Sequence, residues 1–244
     1  RIRRQTLQFA DLPAGLDGFR IVQLSDVHCG VFAPRERVRS WVRLANRQGA
    51  DLAVVTGDLI ASGPDHVTTV AAALAELRGT SGTFVCMGNH DYFGGAGEAM
   101  IAALADHRVR LLRNESVRLE RGGDAFTVAG IDDAHSHRDD LDAALAGREG
   151  FVILLAHDPD GFAGAAERGV PLTLSGHTHG GQLAVPLASR RLNLAHLVSP
   201  LTDGVYRRGA SILFVSCGIG TSGPPIRIGT RGEIAVLTLK RGPG

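Results

Sequence analysis

Short apolar runs recur along the chain and alternate with segments of helical pattern. Eight runs have the length and β-branched content of buried strands, at residues 20–24, 52–56, 83–87, 126–129, 151–155, 172–174, 212–215 and 234–239. Five segments between them predict helices, at residues 34–48, 64–78, 98–107, 139–146 and 159–168. Alternating strands and helices predict an α/β fold with helices outside the sheet.

The segment 109–129 departs from this alternation, because Gly122-Gly123 reads as a turn between two strand-like runs. We therefore expect mixed strand directions in this part of the fold. No internal repeat, low-complexity tract or linker divides the chain, and its length suits one large domain, so we predict a single domain over residues 1–244.

The composition is that of an ordinary globular protein, with 44% hydrophobic and 21% charged residues. A formal net charge of +1 provides no strong field for a polyanion, so we expect no stable nucleic-acid binding and consider nucleic acid only as a substrate. The three cysteines, Cys29, Cys86 and Cys217, lack C-x-x-C spacing and indicate free thiols rather than a disulfide framework.

Membrane insertion is not predicted for this chain. Its longest apolar stretches, such as residues 151–156, are far shorter than the roughly 20 residues that a membrane-spanning helix requires. The chain begins at Arg1 rather than Met, which leaves an upstream signal or anchor open. We expect a cytoplasmic or membrane-associated protein and make no prediction of its oligomeric state.

Side chains with metal-binding chemistry follow directly after several of the predicted strands. They are Asp26, His28, Asp58, Asn89, His90, Asp91, His157, His177 and His179. Sites assemble at the carboxyl ends of strands in α/β sheets, so these side chains could meet in space. Asp and His supply oxygen and imidazole donors, a shared carboxylate can bridge two cations, and an Asn amide adds a neutral ligand. Each segment alone is weak, but the ordered set predicts two adjacent metal ions.

The order and spacing of these segments resemble the calcineurin-like metallophosphoesterase superfamily. The matching segments are Asp26-Val27-His28, Gly57-Asp58, Gly88-Asn89-His90-Asp91, His157 and Gly176-His177-Thr178-His179. The extended segment 176–182, together with 218–223 and 225–227, is similar to a bacterial subfamily of small, often membrane-associated phosphodiesterases. The resemblance implies a four-layer αββα sandwich of two mixed β-sheets flanked by helices.

The resemblance also implies how the metal ligands are divided. Asp58 would bridge two ions, one held by Asp26, His28 and His179 and the other by Asn89, His157 and His177. The implied cofactors are two divalent or mixed-valence ions of manganese, zinc or iron, among which the donor atoms do not choose. Two ions about 3.5–4 Å apart can share a water, lower its pKa and hold a phosphoryl oxygen in line. We expect the bridging hydroxide to attack phosphorus.

His90 matches the family histidine that approaches the leaving-group oxygen without binding metal. Histidine suits this role as a cation or proton donor near neutral pH. Some relatives orient it with an acidic residue soon after the Gly-Asp segment, but here Leu59, Ile60 and Ala61 follow. Asp91 is the nearest candidate for that orienting role, and a structural role in a turn or helix cap is the equal alternative.

Substrate-binding residues are not assigned by the sequence. Residues 183–205 are apolar and punctuated by prolines, which indicates either an apolar wall for a lipid-linked or aromatic phosphoester or ordinary packing. Arg190, Arg191 and Arg227 are candidates for pairing with a second phosphate.

The remaining histidines carry less weight in the sequence. His135 and His137 lie in a polar segment and either reach a substrate or belong to a solvated loop. Cys29 adjoins His28 and is expected to be a small buried thiol.

The leading hypothesis is a metal-dependent phosphodiesterase acting on a small phosphoester, either nucleotide-linked or lipid-linked, with peripheral membrane association as an option. A phosphomonoesterase is the alternative among enzymes. A non-catalytic metal-binding scaffold of the same fold is the alternative from another class. Such scaffolds usually lack ligands or the catalytic histidine, whereas this chain carries the full set.

Overall fold

A computed structural model describes residues 1–182 and 199–243 and contains two β-sheets between layers of helices. The strands are β1 (Ile2–Phe9), β2 (Arg20–Leu24), β3 (Leu52–Thr56), β4 (Gly82–Cys86), β5 (Arg110–Leu111), β6 (Glu115–Arg121), β7 (Asp124–Gly130), β8 (Phe151–Leu155), β9 (Leu172–Ser175), β10 (Gly204–Arg208), β11 (Ser211–Val215) and β12 (Ile234–Arg241). The helices are α1 (Arg35–Asn46), α2 (Val67–Leu74), α3 (Gly97–Asp106), α4 (Leu141–Ala144) and α5 (Phe162–Glu167). Every predicted strand and helix has a counterpart.

Both sheets have six strands and mixed directions. The first has the order β1-β12-β2-β3-β4-β5, in which only the β12–β2 pair is antiparallel. The second has the order β10-β11-β9-β8-β7-β6, with antiparallel pairs at its two edges. The Gly122-Gly123 turn joins β6 to β7, which confirms the expected hairpin.

The four layers follow from alternate burial along the central strands. In β3, Leu52 and Val54 pack between the two sheets, whereas Ala53 and Val55 pack on the side of α1, α2 and α3. In β8, Ile153 faces the other sheet, and its neighbours Val152 and Leu154 pack with residues of α4 and α5. Strands that are buried on both faces are continuously apolar, which is why their pattern was readable. The predicted αββα sandwich is confirmed.

The remaining expectations concern the first strand, the cysteines, membrane-spanning helices and the segment 183–205. The edge strand β1 was not predicted, because only Leu7 and Phe9 are buried in it and they alternate with exposed Thr6 and Gln8. The three cysteines are free and buried, as expected. None of the helices within the described residues combines the length and apolar character needed to cross a bilayer. Arg190, Arg191 and most of the apolar segment 183–205 lie outside the described residues.

Candidate metal centre

The candidate ligands meet at the carboxyl ends of strands from both sheets. In the first sheet, β2 leads to Asp26 and His28, β3 to Asp58, and β4 to Asn89. In the second sheet, β8 leads to His157, and β9 leads to His177 and His179. Each of these side chains, except the half-buried His177, is buried. The predicted gathering at the strand ends is what the structure shows.

Most of the candidate ligands have an unusual backbone conformation. Five have left-handed φ values between 45° and 69°: Asp26, His28, Asp58, His177 and His179. This conformation costs about 1–3 kcal/mol for a residue other than glycine, and such strain concentrates at functional sites. Hydrogen bonds between neighbouring loops hold it, including Asp26 N–H to the Gly57 carbonyl at 3.1 Å and His28 N–H to the Asp58 carbonyl at 2.9 Å.

Two glycines let the loops approach each other closely. A Cβ atom at Gly57, where φ is +77°, would overlap the imidazole of His157. A Cβ atom at Gly176 would overlap the side chains of Ser25 and Asp26. The motif glycines are therefore needed because donor side chains occupy the space that their own side chains would fill.

One group of donors contains Asp26, His28, Asp58 and His179. The Nε2 atoms of His28 and His179 lie 3.0 Å apart. Asp58 Oδ2 is 3.5 Å from His28 Nε2, and Asp26 Oδ1 is 3.5 Å from His179 Nε2. All four side chains thus direct a donor atom into one small buried volume.

The second group contains Asp58, His157 and His177. Asp58 Oδ1 is 3.3 Å from His157 Nε2, which in turn is 3.2 Å from His177 Nδ1. His157 Nδ1 donates to the Thr56 carbonyl at 2.8 Å, a contact that orients the ring and leaves Nε2 facing the site. Asp58 is therefore common to both groups, with one carboxylate oxygen toward each.

Burial and neighbouring charges set the protonation of these groups. Burial lowers the pKa of His28 and of His177 to about 4, and it holds the pKa of His179 well below its usual range. Burial also disfavours charged His157, but the Asp58 carboxylate outweighs this and raises the pKa of His157 to about 10. Neutral imidazoles are the form that binds metals.

The pKa values of the Asp26 and Asp58 carboxyl groups shift in opposite directions. Burial raises the pKa of Asp26 to about 6. Burial acts in the same direction on Asp58, but the facing His157 and His28 outweigh it and lower the pKa of Asp58 below its usual range. Asp58 is therefore the carboxylate that carries a charge at the shared position.

The donor set fits divalent cations. Ligand distances of about 2.0–2.2 Å place neighbouring donors of an octahedral or tetrahedral site about 3.0–3.5 Å apart, which is the spacing of the pairs described above. Asn89 Oδ1 is buried and has no hydrogen-bond partner among the described residues. An unpartnered buried acceptor is costly unless something else satisfies it, and a cation would do so.

The His90 ring lies against the first group without joining it. Its centroid is 4.6 Å from that of His28, and its backbone N–H donates to Asp58 Oδ1 at 2.9 Å. His90 Nδ1 donates to the carbonyl of Ala61 at 2.6 Å, and Nε2 lies 3.5 Å from Ser222 Oγ. The orienting partner of His90 is thus a backbone carbonyl in the segment where the sequence shows no acidic residue.

Asp91 has the structural role that was the alternative in the sequence. Its buried carboxylate accepts hydrogen bonds from the N–H groups of Leu59 at 2.7 Å, Ile60 at 3.2 Å and Gly88 at 2.9 Å. These contacts tie the loop after β3 to the loop after β4. Of the two roles that the sequence leaves open for Asp91, these contacts are those of the structural one, because its acceptor oxygens serve the backbone of these two loops.

Contacts with the segment 218–227 brace the histidine loop after β9. Arg227 donates to the carbonyls of His179 at 3.2 Å, Gly218 at 3.3 Å and Gly220 at 3.2 Å. Gln182 accepts from Ser222 N–H at 3.0 Å and donates to the Ser222 carbonyl at 2.8 Å. The sequence signal for this pairing was the co-occurrence of segments 176–182 and 218–227. These contacts give Arg227 a bracing role, whereas the sequence alone makes it a candidate for phosphate binding.

The fold and the gathered carboxylate, amide and imidazole donors define a protein with a divalent metal centre. The calcineurin-like phosphoesterase family model matches residues 19–181, and the chain belongs to this family. The chain accordingly carries a calcineurin-like phosphoesterase domain, and it spans about half the length of a Danio rerio relative.

Relatives share the family over most of this chain. A Danio rerio transmembrane protein with metallophosphoesterase domain is 35% identical over 245 residues, which cover 94% of this chain and 55% of that protein. The uncharacterized metallophosphoesterase YkuE of Bacillus subtilis (strain 168) is 33% identical over 247 residues, which cover 96% of this chain and 84% of that protein.

A solved structure shares the fold at low sequence identity. TT1561 of Thermus thermophilus superposes with a TM-score of 0.54 and 16% identity, covering 83% of this chain and 92% of that one. This similarity bears on the architecture alone.

Proposed function

We propose that the protein is a phosphodiesterase that uses two metal ions. The observation that carries this proposal is the position of Asp58, whose Oδ1 faces His157 at 3.3 Å and whose Oδ2 faces His28 at 3.5 Å. A carboxylate between two sets of donors is suited to bridge two cations. Asp26, His28 and His179 would complete one site, and Asn89, His157 and His177 the other.

The reaction also needs an activated water and a proton donor for the leaving group. Bound cations would neutralise the phosphoryl oxygens and make water acidic enough to act as a nucleophile. His90 is placed beside this centre with Nδ1 engaged by Ala61, so its Nε2 is the atom that would meet the leaving-group oxygen. A histidine at that position can donate a proton to the departing alkoxide.

Among the described residues, which do not include Arg190 and Arg191, the charge around the centre favours a diester over a monoester. A phosphomonoester near neutral pH is a dianion and gains from extra cationic clamps, whereas a phosphodiester carries a single charge. Arg227 contacts His179 Nδ1 at 3.3 Å, and its other contacts go to backbone carbonyls. This arrangement supports a monoanionic substrate.

The proposal extends to the class of partner. We propose a small diester, linked to a nucleotide or a lipid, as the substrate. The Danio rerio relative is named as a transmembrane protein, and it is longer than this chain. Peripheral membrane association is therefore included in the proposal, and co-sedimentation of the purified chain with phospholipid vesicles would test it.

Metal analysis combined with two chromogenic substrates tests the function. We expect about two divalent ions per chain and faster hydrolysis of bis(p-nitrophenyl) phosphate than of p-nitrophenyl phosphate. Asp58→Asn should lose metal and at least ~100-fold in kcat/KM. Asp142→Asn, which removes an exposed carboxylate paired with Arg168, is the matched control. Faster monoester hydrolysis would favour the monoesterase, and a metal-bound protein without either activity would favour the scaffold.

A further inference from the structure

His135, like His90, belongs to neither of the two donor groups, and it lies at the edge of the metal centre. The ring centroid of His135 is 4.7 Å from that of His177. His135 Nδ1 is also 3.3 Å from Asp158 Oδ2, and Asp158 directly follows the candidate ligand His157. The polar loop that the sequence left open as solvated therefore reaches the site.

The loop that carries His135 is held in place by buried polar groups. The Asp133 carboxylate is 1% exposed and accepts hydrogen bonds from His135 N–H at 3.2 Å and Ser136 N–H at 3.0 Å. Asp158 is itself fixed, because its Oδ1 accepts from Asp160 N–H at 2.9 Å. The position of His135 is consequently set by the fold, although its side chain is 48% exposed.

His135, Asp158 and His177 are also close enough together to consider a third cation. His177 already directs Nδ1 toward His157 Nε2 at 3.2 Å in the second donor group. Binding another cation through its remaining nitrogen would require the imidazole to lose both ring protons, which is costly. The exposed ring of His135 is better placed to contact a molecule that enters from solvent.

We propose that His135 contacts the second ester substituent of a phosphodiester, the group that a phosphomonoester lacks. This inference rests on the proposed function. His90 lies beside His28 of the first donor group, and His135 lies beside His177 of the second. A phosphate held across both groups would place one substituent toward each of these histidines. His135 then selects for diesters by contacting the substituent that remains on the phosphate.

The test compares His135→Ala with His137→Ala, which changes an exposed histidine on the same loop. For His135→Ala we expect kcat/KM for bis(p-nitrophenyl) phosphate to fall about 10-fold, mainly through a higher KM. Hydrolysis of p-nitrophenyl phosphate should change less than about 2-fold. Metal content by mass spectrometry and the thermal midpoint should equal those of the wild type, and His137→Ala should match the wild type throughout.

The failures of the inference and of the proposed function are distinguishable. A wild type without diesterase activity would overturn both. An active wild type with an equally active His135→Ala variant would overturn only the role of His135. Equal losses on both substrates, or a loss of bound metal, would instead show that His135 supports the metal centre, and would also overturn the inference.

Discussion

The Nε2 atoms of His28 and His179 face each other at 3.0 Å across 151 residues of sequence. Burial lowers the pKa of both imidazoles, so both are neutral at pH 7 and neither forms an ion pair with a nearby carboxylate. The nearby carboxylates of Asp26 and Asp58 are buried as well. Such a cluster is poorly satisfied by its own side chains, and a cation is the group that all of its members would stabilise.

Removal of metal should therefore lower the stability of the folded chain. A ligand at 100 times its Kd stabilises the native state by about 2.7 kcal/mol, which corresponds to a fall of roughly 5–10 °C in thermal midpoint on removal. Scanning calorimetry before and after chelation, with restoration by added manganese or zinc, measures the effect. An unchanged midpoint in a protein shown to lose its metal would contradict this prediction.

Metal binding should release a proton from His157 and strengthen as pH rises. Without metal, the pKa of His157 is raised to about 10, so the ring is protonated at neutral pH. Because Nδ1 donates to Thr56, the cation must displace the proton on Nε2. Protons therefore compete below this pKa, and affinity should rise by up to about tenfold per pH unit. Calorimetric titrations in buffers of different ionisation enthalpy measure the release, and pH-independent affinity would count against it.

The sequence predicted the fold and the gathering of donors because both depend on local signals. Buried strands are continuous apolar runs, and the carboxyl end of a strand places the next polar residue at a shared edge. The contacts that orient His90 were not predictable from the sequence. One is a backbone carbonyl, which every residue has, and the other is Ser222, which is far from His90 in the sequence. His135 was left undecided for the same reason, since its approach to His177 depends on how two loops are placed in space.

His90→Ala should reduce turnover without removing metal. His90 lies against His28 but belongs to neither donor group, so its loss should lower kcat about 10²-fold or more while metal content stays constant. Steady-state kinetics and mass spectrometry on the same preparation provide the comparison. His107→Ala, at the end of α3, is the control. A parallel loss of metal would show that His90 is a ligand.

Gly57→Ala should disrupt the centre more than Gly63→Ala. Both glycines have left-handed φ values, +77° and +68°, so both substitutions carry the backbone strain of alanine. A Cβ at Gly57 would also overlap the His157 ring, whereas nothing lies within 4 Å of one at Gly63. We expect Gly57→Ala to be less stable by a further 1–3 kcal/mol or so in urea titrations and to lose metal. Equal stabilities would refute the close approach.

Asp91→Ala should destabilise the fold rather than act on catalysis through His90. The substitution leaves the buried N–H groups of Leu59, Ile60 and Gly88 without their acceptor, which should cost about 3 kcal/mol in the free energy of unfolding. Asp91→Asn keeps an acceptor oxygen and should fall between the wild type and the alanine variant. Urea denaturation followed by circular dichroism measures the difference. The opposite result would be an Asp91→Ala variant that is as stable as the wild type but loses as much kcat as His90→Ala. That result would assign Asp91 the role of orienting His90, because a purely structural role would lower stability.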